Sequence, residues 1–204
     1  APEDCPSLDD YLMRFDLPSQ CLQAPIDWQE AAHDAALAAH ADGVAYIEYR
    51  FATPLDAPSI RAELEAVWAG LTQAKAECGI LSGMIVCGMR DRPVEQNVAV
   101  LRAARECEGV CGTDIAGGEV GHPTYKQAAL FREAYRLGLP YTIHAGECGS
   151  VTNVLDAVAF GARRIGHGIA LRQSAEARRF CRERGVTLEL CPVSNQQTKA
   201  VPSL

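Results

Sequence analysis

Gly138-Leu139-Pro140-Tyr141-Thr142-Ile143-His144-Ala145-Gly146-Glu147 is the stretch on which the reading of this chain turns. A glycine stops a helical pattern, a short β-rich run follows, and a histidine closes that run with a carboxylate three residues on. An imidazole and a carboxyl group aimed at one space can hold a divalent metal and move protons. The next such run, Arg163-Arg164-Ile165-Gly166-His167-Gly168, also closes on a histidine, which would face the same pocket.

The same phrase recurs on both sides of this stretch. Gly43, Gly79, Gly109, Gly138, Gly161 and Gly185 each stand where a helix must end in a left-handed conformation, and they imply six helix-to-strand units. The β-rich runs after them cover 44–52, 80–88, 110–117, 139–145, 163–167 and 186–191. Asp27 with Glu30 has the spacing of a capping box, and Ile60, Leu64, Val67 and Leu71 lay an apolar stripe along a second helix. Pro93 suits the first turn of a third helix carrying Val94, Val98 and Leu101. Further helices are expected near 124–137, 150–160 and 174–184, the last capped by Ser174. Ahead of them, Tyr11 to Leu17 reads as a helix or turn.

Short apolar strands spaced by helices predict a parallel sheet covered on its faces, as a doubly wound open sheet or a barrel. His144, Glu147, His167, Arg50 and Asp114 all fall at or just after strand C-termini, where a barrel gathers its active site. No Gly-x-Gly-x-x-Gly follows the first strand, which removes support for a dinucleotide crevice. The expectation is an α/β fold of the TIM-type (β/α)8 barrel, one incomplete domain over 1–204. A whole barrel needs eight strands and about 250 residues.

The chain has 204 residues, 48% of them hydrophobic, enough for one substantial core. A formal net charge of −7 without a basic block argues against a nucleic-acid partner and for small molecules. Nine cysteines, an odd set with no Cys-x-x-Cys pair, favour reduced thiols in a cytosolic protein. No window reaches the roughly 18 apolar residues of a membrane span, and no signal peptide is seen. The chain reads as soluble and cytoplasmic.

Tyr46-Ile47-Glu48-Tyr49-Arg50-Phe51, Met89-Arg90, Asp114-Ile115-Ala116-Gly117, His144-Ala145-Gly146-Glu147, Arg164-Ile165-Gly166-His167-Gly168 and Leu188-Glu189-Leu190-Cys191-Pro192-Val193-Ser194-Asn195 follow one another in an order that resembles the adenosine deaminase family of metal-dependent amidohydrolases. Ser7-Leu8-Asp9-Asp10-Tyr11-Leu12 with Phe15-Asp16 resembles the segment before that family's second strand. The resemblance implies a zinc-dependent hydrolytic deaminase of adenosine or deoxyadenosine, releasing ammonia. It implies His144 as a zinc ligand, Glu147 as the acid that protonates a purine ring nitrogen, and His167 as the group that orients and deprotonates water. Gly117 would offer its backbone N–H to the purine edge, with Asp114 in the substrate-binding set.

Family members also carry a His-x-His pair on the first strand and an Asp-Asp pair on the eighth, and neither occurs here. One of four expected zinc ligands is therefore present. The remaining ligands are expected outside this sequence, in a longer protein, and the link at Thr53-Pro54-Leu55-Asp56 reads as a place where loop residues are absent. The 204-residue piece alone is expected to fold poorly and to be inactive, with open sheet edges. Gly118 stands where many relatives carry a side chain, often acidic, which leaves substrate preference open.

Plainer readings stand beside these. Asp114 could tie loops together, and Arg50 with Glu48 could form an ion pair at the barrel mouth or line the pocket. His33 and His40 read as surface residues. His122, in the Gly117–Pro123 loop, reads as a turn or as part of a lid. Ser194 and Asn195 read as ties for the loop after the last strand, and the cysteines, Cys148 included, as packing residues. Two alternatives stay open: a deaminase of adenine or another N6-substituted purine, and a non-catalytic barrel that has lost its metal ligands.

Overall fold

The computed structural model describes residues 8–53, 60–148 and 150–201. Six parallel strands carry the fold: β1 Tyr46–Phe51, β2 Leu81–Met89, β3 Val110–Ala116, β4 Thr142–Ala145, β5 Arg164–His167 and β6 Thr187–Glu189. They pair as β1-β2-β3 and β4-β5-β6. A parallel bridge between Thr113 and Tyr141, with the Thr113 N–H donating to the Pro140 carbonyl at 3.0 Å, joins the two triplets into one wall. Its strand order is the chain order, as in a barrel and unlike a doubly wound sheet. The architecture is an incomplete TIM-type α/β barrel.

The helices are α1 Leu8–Leu12, α2 Asp16–Cys21 and α3 Pro25–Ala41 ahead of β1, then α4 Ile60–Cys78, α5 Val94–Arg105, α6 Ala128–Arg136, α7 Val151–Ala159 and α8 Ala175–Glu183 between successive strands, and α9 Pro192–Gln197 after β6. All six expected stop glycines have positive φ, from 63° to 97°. Ser174 caps α8 by accepting from the Ala177 N–H. The expected start at Asp27 is corrected to Pro25. Asp27 sits in the first turn, and its carboxylate accepts from the Ala24 and Gln23 N–H groups at 2.7 and 2.9 Å. The strand expected from Leu139 begins instead at Thr142, because Pro140 lacks the N–H that a ladder needs. Residues 54–56 of the expected link, Ser7 and Cys5 lie outside the described residues.

The apolar core lies between the wall and its helices. Around the second triplet Leu101, Ile115, Leu130, Phe131, Ile143, Val154 and Ile165 are fully buried. Around the first, α3 and α4 pack so closely that a Cβ at Gly70 would meet the Gln29 carbonyl at 2.1 Å. The inner face of the wall is ionic. Arg50 donates to Glu189 at 2.5 Å, and Arg164 donates to both Glu48 and Glu189 at 2.7 and 2.8 Å. The pairing expected between Arg50 and Glu48 is thus replaced by pairs that cross the interior from β1 to β5 and β6. Two residues apart on one strand, both side chains project to the same face and meet opposite charges on the far triplet.

The eight described cysteines form no disulfide. No helix among the described residues is long and apolar enough to cross a membrane. His33, expected at the surface, is largely covered and bridges α3 to Glu77 of α4 at 3.1 Å.

Candidate active site

β4 and β5 run side by side with His144 opposite Gly166 and Ala145 opposite His167. This register brings the two imidazoles to the C-terminal rim with ring centroids 5.2 Å apart. A glycine at 166 is what lets them approach, since a Cβ there would press on the His144 ring at 3.2 Å. His167 itself takes a left-handed backbone, φ 65°, which turns the chain out of the strand. After β4, Gly146 at φ 73° turns the chain so that the Glu147 carboxylate comes within 3.6 Å of His167 Nε2. His144, Glu147 and His167 thus share one corner, and Glu147 and His167 are both buried.

Each imidazole is held by its Nδ1. His144 Nδ1–H donates to Asp114 at 2.6 Å, and the same carboxylate accepts from the His144 and Ile115 N–H groups and pairs with Arg50 Nε at 3.1 Å. His167 Nδ1–H donates to the Asn195 side-chain oxygen at 2.6 Å. These bonds select the tautomer that leaves Nε2 with its lone pair. Asp114, expected among the substrate contacts, is fully buried beneath His144 with these partners around it.

Charge in this corner follows from burial and pairing. Desolvation alone would lower the His144 pKa, but Asp114 outweighs it and the net direction is up. Burial would raise Asp114, and the neighbouring His144 and Arg50 bring it below its ordinary value. Glu147 is raised, chiefly because burial disfavours its anion, although His167 and His144 oppose this. For His167, burial pulls down while Cys191, Glu147 and Asn195 together carry the pKa up.

The donor set can be compared with what a metal requires. Nε2 of His144, backed by a carboxylate on Nδ1, is the usual presentation of a metal-ligating imidazole. No group of three His, Cys, Asp or Glu side chains gathers at metal-binding distance among the described residues. The chain therefore fits one ligand and its holder, short of the three protein ligands that zinc uses.

Two residues enter the corner that patterns did not single out as functional. Arg90, at the end of β2, is buried and donates to the carbonyls of His122 and His144 and to Thr124 Oγ1. Glu119 accepts from Gly146 N–H, Cys148 N–H and Asn153 Nδ2, on both sides of Glu147. The only sequence signal for Glu119 is a carboxylate inside a loop that follows a strand. Gly117 lies on that loop at φ 99°, a conformation natural to glycine. His122 is in a turn whose carbonyl Arg90 holds.

The sequence profile of the Adenosine deaminase family matches residues 2–204. A curated relative, the adenosine deaminase of Enterococcus faecalis, is 45% identical over 213 residues, covering 100% of this chain and 62% of its own length. The chain thus spans a little under two thirds of that relative. Among solved structures, an adenine deaminase from Arthrobacter aurescens superposes with a TM-score of 0.88 at 22% identity, covering 98% of this chain and 63% of that one. A zinc-bound amidohydrolase from Burkholderia ambifaria superposes at 0.81 with 23% identity, covering 89% and 52%. With a profile match over almost every residue and the strand-end motifs on one rim, the chain belongs to the adenosine deaminase family.

Proposed function

We propose that the whole protein hydrolyses the C–N bond at the amino-bearing carbon of adenosine or deoxyadenosine, giving inosine or deoxyinosine and ammonia, with one zinc ion per subunit. The observation that carries this reading is the meeting of Glu147 with two Nδ1-anchored imidazoles at the strand rim. His144 Nε2 would be one zinc ligand, with the others supplied by parts of the protein outside this chain. The ion, when bound, supplies Lewis-acid activation of water near neutral pH.

The chain's own residues do the rest. Glu147, biased toward its protonated form by burial, gives its proton to a purine ring nitrogen and makes the adjoining carbon a better electrophile. His167, fixed by Asn195, orients the attacking water and accepts its proton. The Gly117 N–H would donate to the purine edge. Asp114 we assign to holding His144 rather than to the substrate. Partners of this kind are small purine nucleosides, and the site of action we propose is the cytoplasm.

The test is turnover of adenosine by the whole protein and by Glu147→Gln. Wild-type activity that the substitution abolishes, with zinc content unchanged, supports the reading; activity retained in the variant rejects the role of Glu147. A panel of adenosine, deoxyadenosine, adenine and N6-methylated purines separates the nucleoside substrate from its alternatives.

A further inference from the structure

Glu119 lies outside every motif that led to the site, yet its carboxylate is bound to the two peptide N–H groups that bracket Glu147. Oε1 accepts from Gly146 at 2.7 Å and Oε2 from Cys148 at 2.8 Å. The bond to Gly146 is buried and the bond to Cys148 partly so, with the Glu119 side chain only 3% exposed. Oε1 also accepts from Asn153 Nδ2 at 3.0 Å, and Asn153 Oδ1 in turn accepts from the Thr124 N–H. Arg90 Nη2 stands 4.0 Å from Oε1 and ties the same loop to the end of β4 through the His144 carbonyl. The backbone at Gly146 has little room to shift, because a Cβ there would lie 2.6 Å from Val154 Cγ2 and 3.0 Å from Ala170 Cβ.

From this geometry we infer that Glu119 is a positioning residue, a two-oxygen clamp that fixes the peptide on either side of Glu147 and so aims its carboxyl group. The inference deepens the deaminase reading and rests on it for its kinetic consequence. A buried carboxylate is costly to desolvate, and here all three of its hydrogen bonds are charge-assisted. The partners are specific: two of its three donors are the immediate neighbours of the proposed acid. A neutral amide of the same shape has only one accepting oxygen. In Glu119→Gln one of the two N–H groups would face an NH2 donor and lose its bond.

Two measurements on the whole protein test the clamp. In the wild type, amide hydrogen exchange at Gly146 and Cys148 is expected to be slow, and in Glu119→Gln faster by about tenfold or more at one or both, with β2 and α4 unchanged. Fast exchange at both amides in the wild type overturns the clamp, and this arm needs neither a variant that folds nor any purine turnover. In steady state, Glu119→Gln is expected to lower kcat by about 10- to 100-fold while KM for adenosine stays within about threefold and zinc content is unchanged. A kcat equal to wild type, or a rise in KM alone, overturns the positioning role. A wild-type protein inert toward every purine in the panel sinks the deaminase reading, while the exchange result still decides whether the clamp exists.

Discussion

The two strand triplets divide the labour of the wall. β1, β2 and β3 run for 6, 9 and 7 residues, while β4, β5 and β6 run for 4, 4 and 3. The short triplet carries the side chains proposed to meet substrate or metal, His144, Glu147 and His167. The long triplet and the loop after it send holders across: Asp114 to His144, Arg90 to the His144 carbonyl, Glu119 to both sides of Glu147. Strands that end early place their last residues at a rim without a long ladder to align them. For His144 and Glu147 the alignment is supplied laterally, by buried polar groups of the better-anchored half, whereas His167 is held from its own side by Asn195 after β6.

If this division holds, damage to the two halves should differ in kind. The largest effect should come from the short triplet: Glu147→Gln should lower kcat by about 10²- to 10⁴-fold with little change in melting temperature, read by steady-state kinetics and calorimetry. Arg90→Ala should act on folding, costing about 3 kcal/mol in urea denaturation, since one buried and two partly buried acceptors would lose this donor. Asp114→Asn should weaken zinc binding by about 10- to 100-fold in chelator competition, because an amide NH2 facing Nδ1 favours the wrong tautomer of His144. At the rim, His167→Gly should be about 1 kcal/mol more stable than His167→Ala, as only the alanine retains a Cβ in a left-handed backbone.

The smallest effect sharpens the contrast between the buried rim and the outer helices. Glu133 of α6 joins Arg102 of α5 and Arg136 in an exposed cluster, and those hydrogen bonds push its pKa down to about 2 from 4.5. A folded-state pKa below the unfolded one stabilises above the unfolded value and is lost as pH falls through the folded one. The stability difference between wild type and Glu133→Gln should therefore be present at pH 6, shrink below about pH 4.5 and vanish near pH 2, a small change that added salt reduces further.

Much of this architecture was legible because backbone chemistry is local. The six stop glycines marked helix ends that all adopt positive φ, and the strand runs after them all formed. The histidines and Glu147 were legible because their motifs fall at strand ends, and register does the rest. The holders were less legible. Asp114 pointed to a strand end but not to which neighbour it would serve, and Arg50 and Glu48 looked like partners until curvature brought β5 and β6 across from them. Glu119 and Arg90 meet the rest of the corner only through tertiary packing, over separations of 27 to 54 residues.

A residue that carries a side chain sits at φ 65° at the end of β5. Glycine would relax that conformation, yet only the imidazole reaches Asn195 and Glu147. Relief of the backbone at position 167 would therefore come with an orphaned Asn195 oxygen and an emptied pocket, so a library selected for thermal survival should keep a ring-sized hydrogen-bond donor there despite its φ.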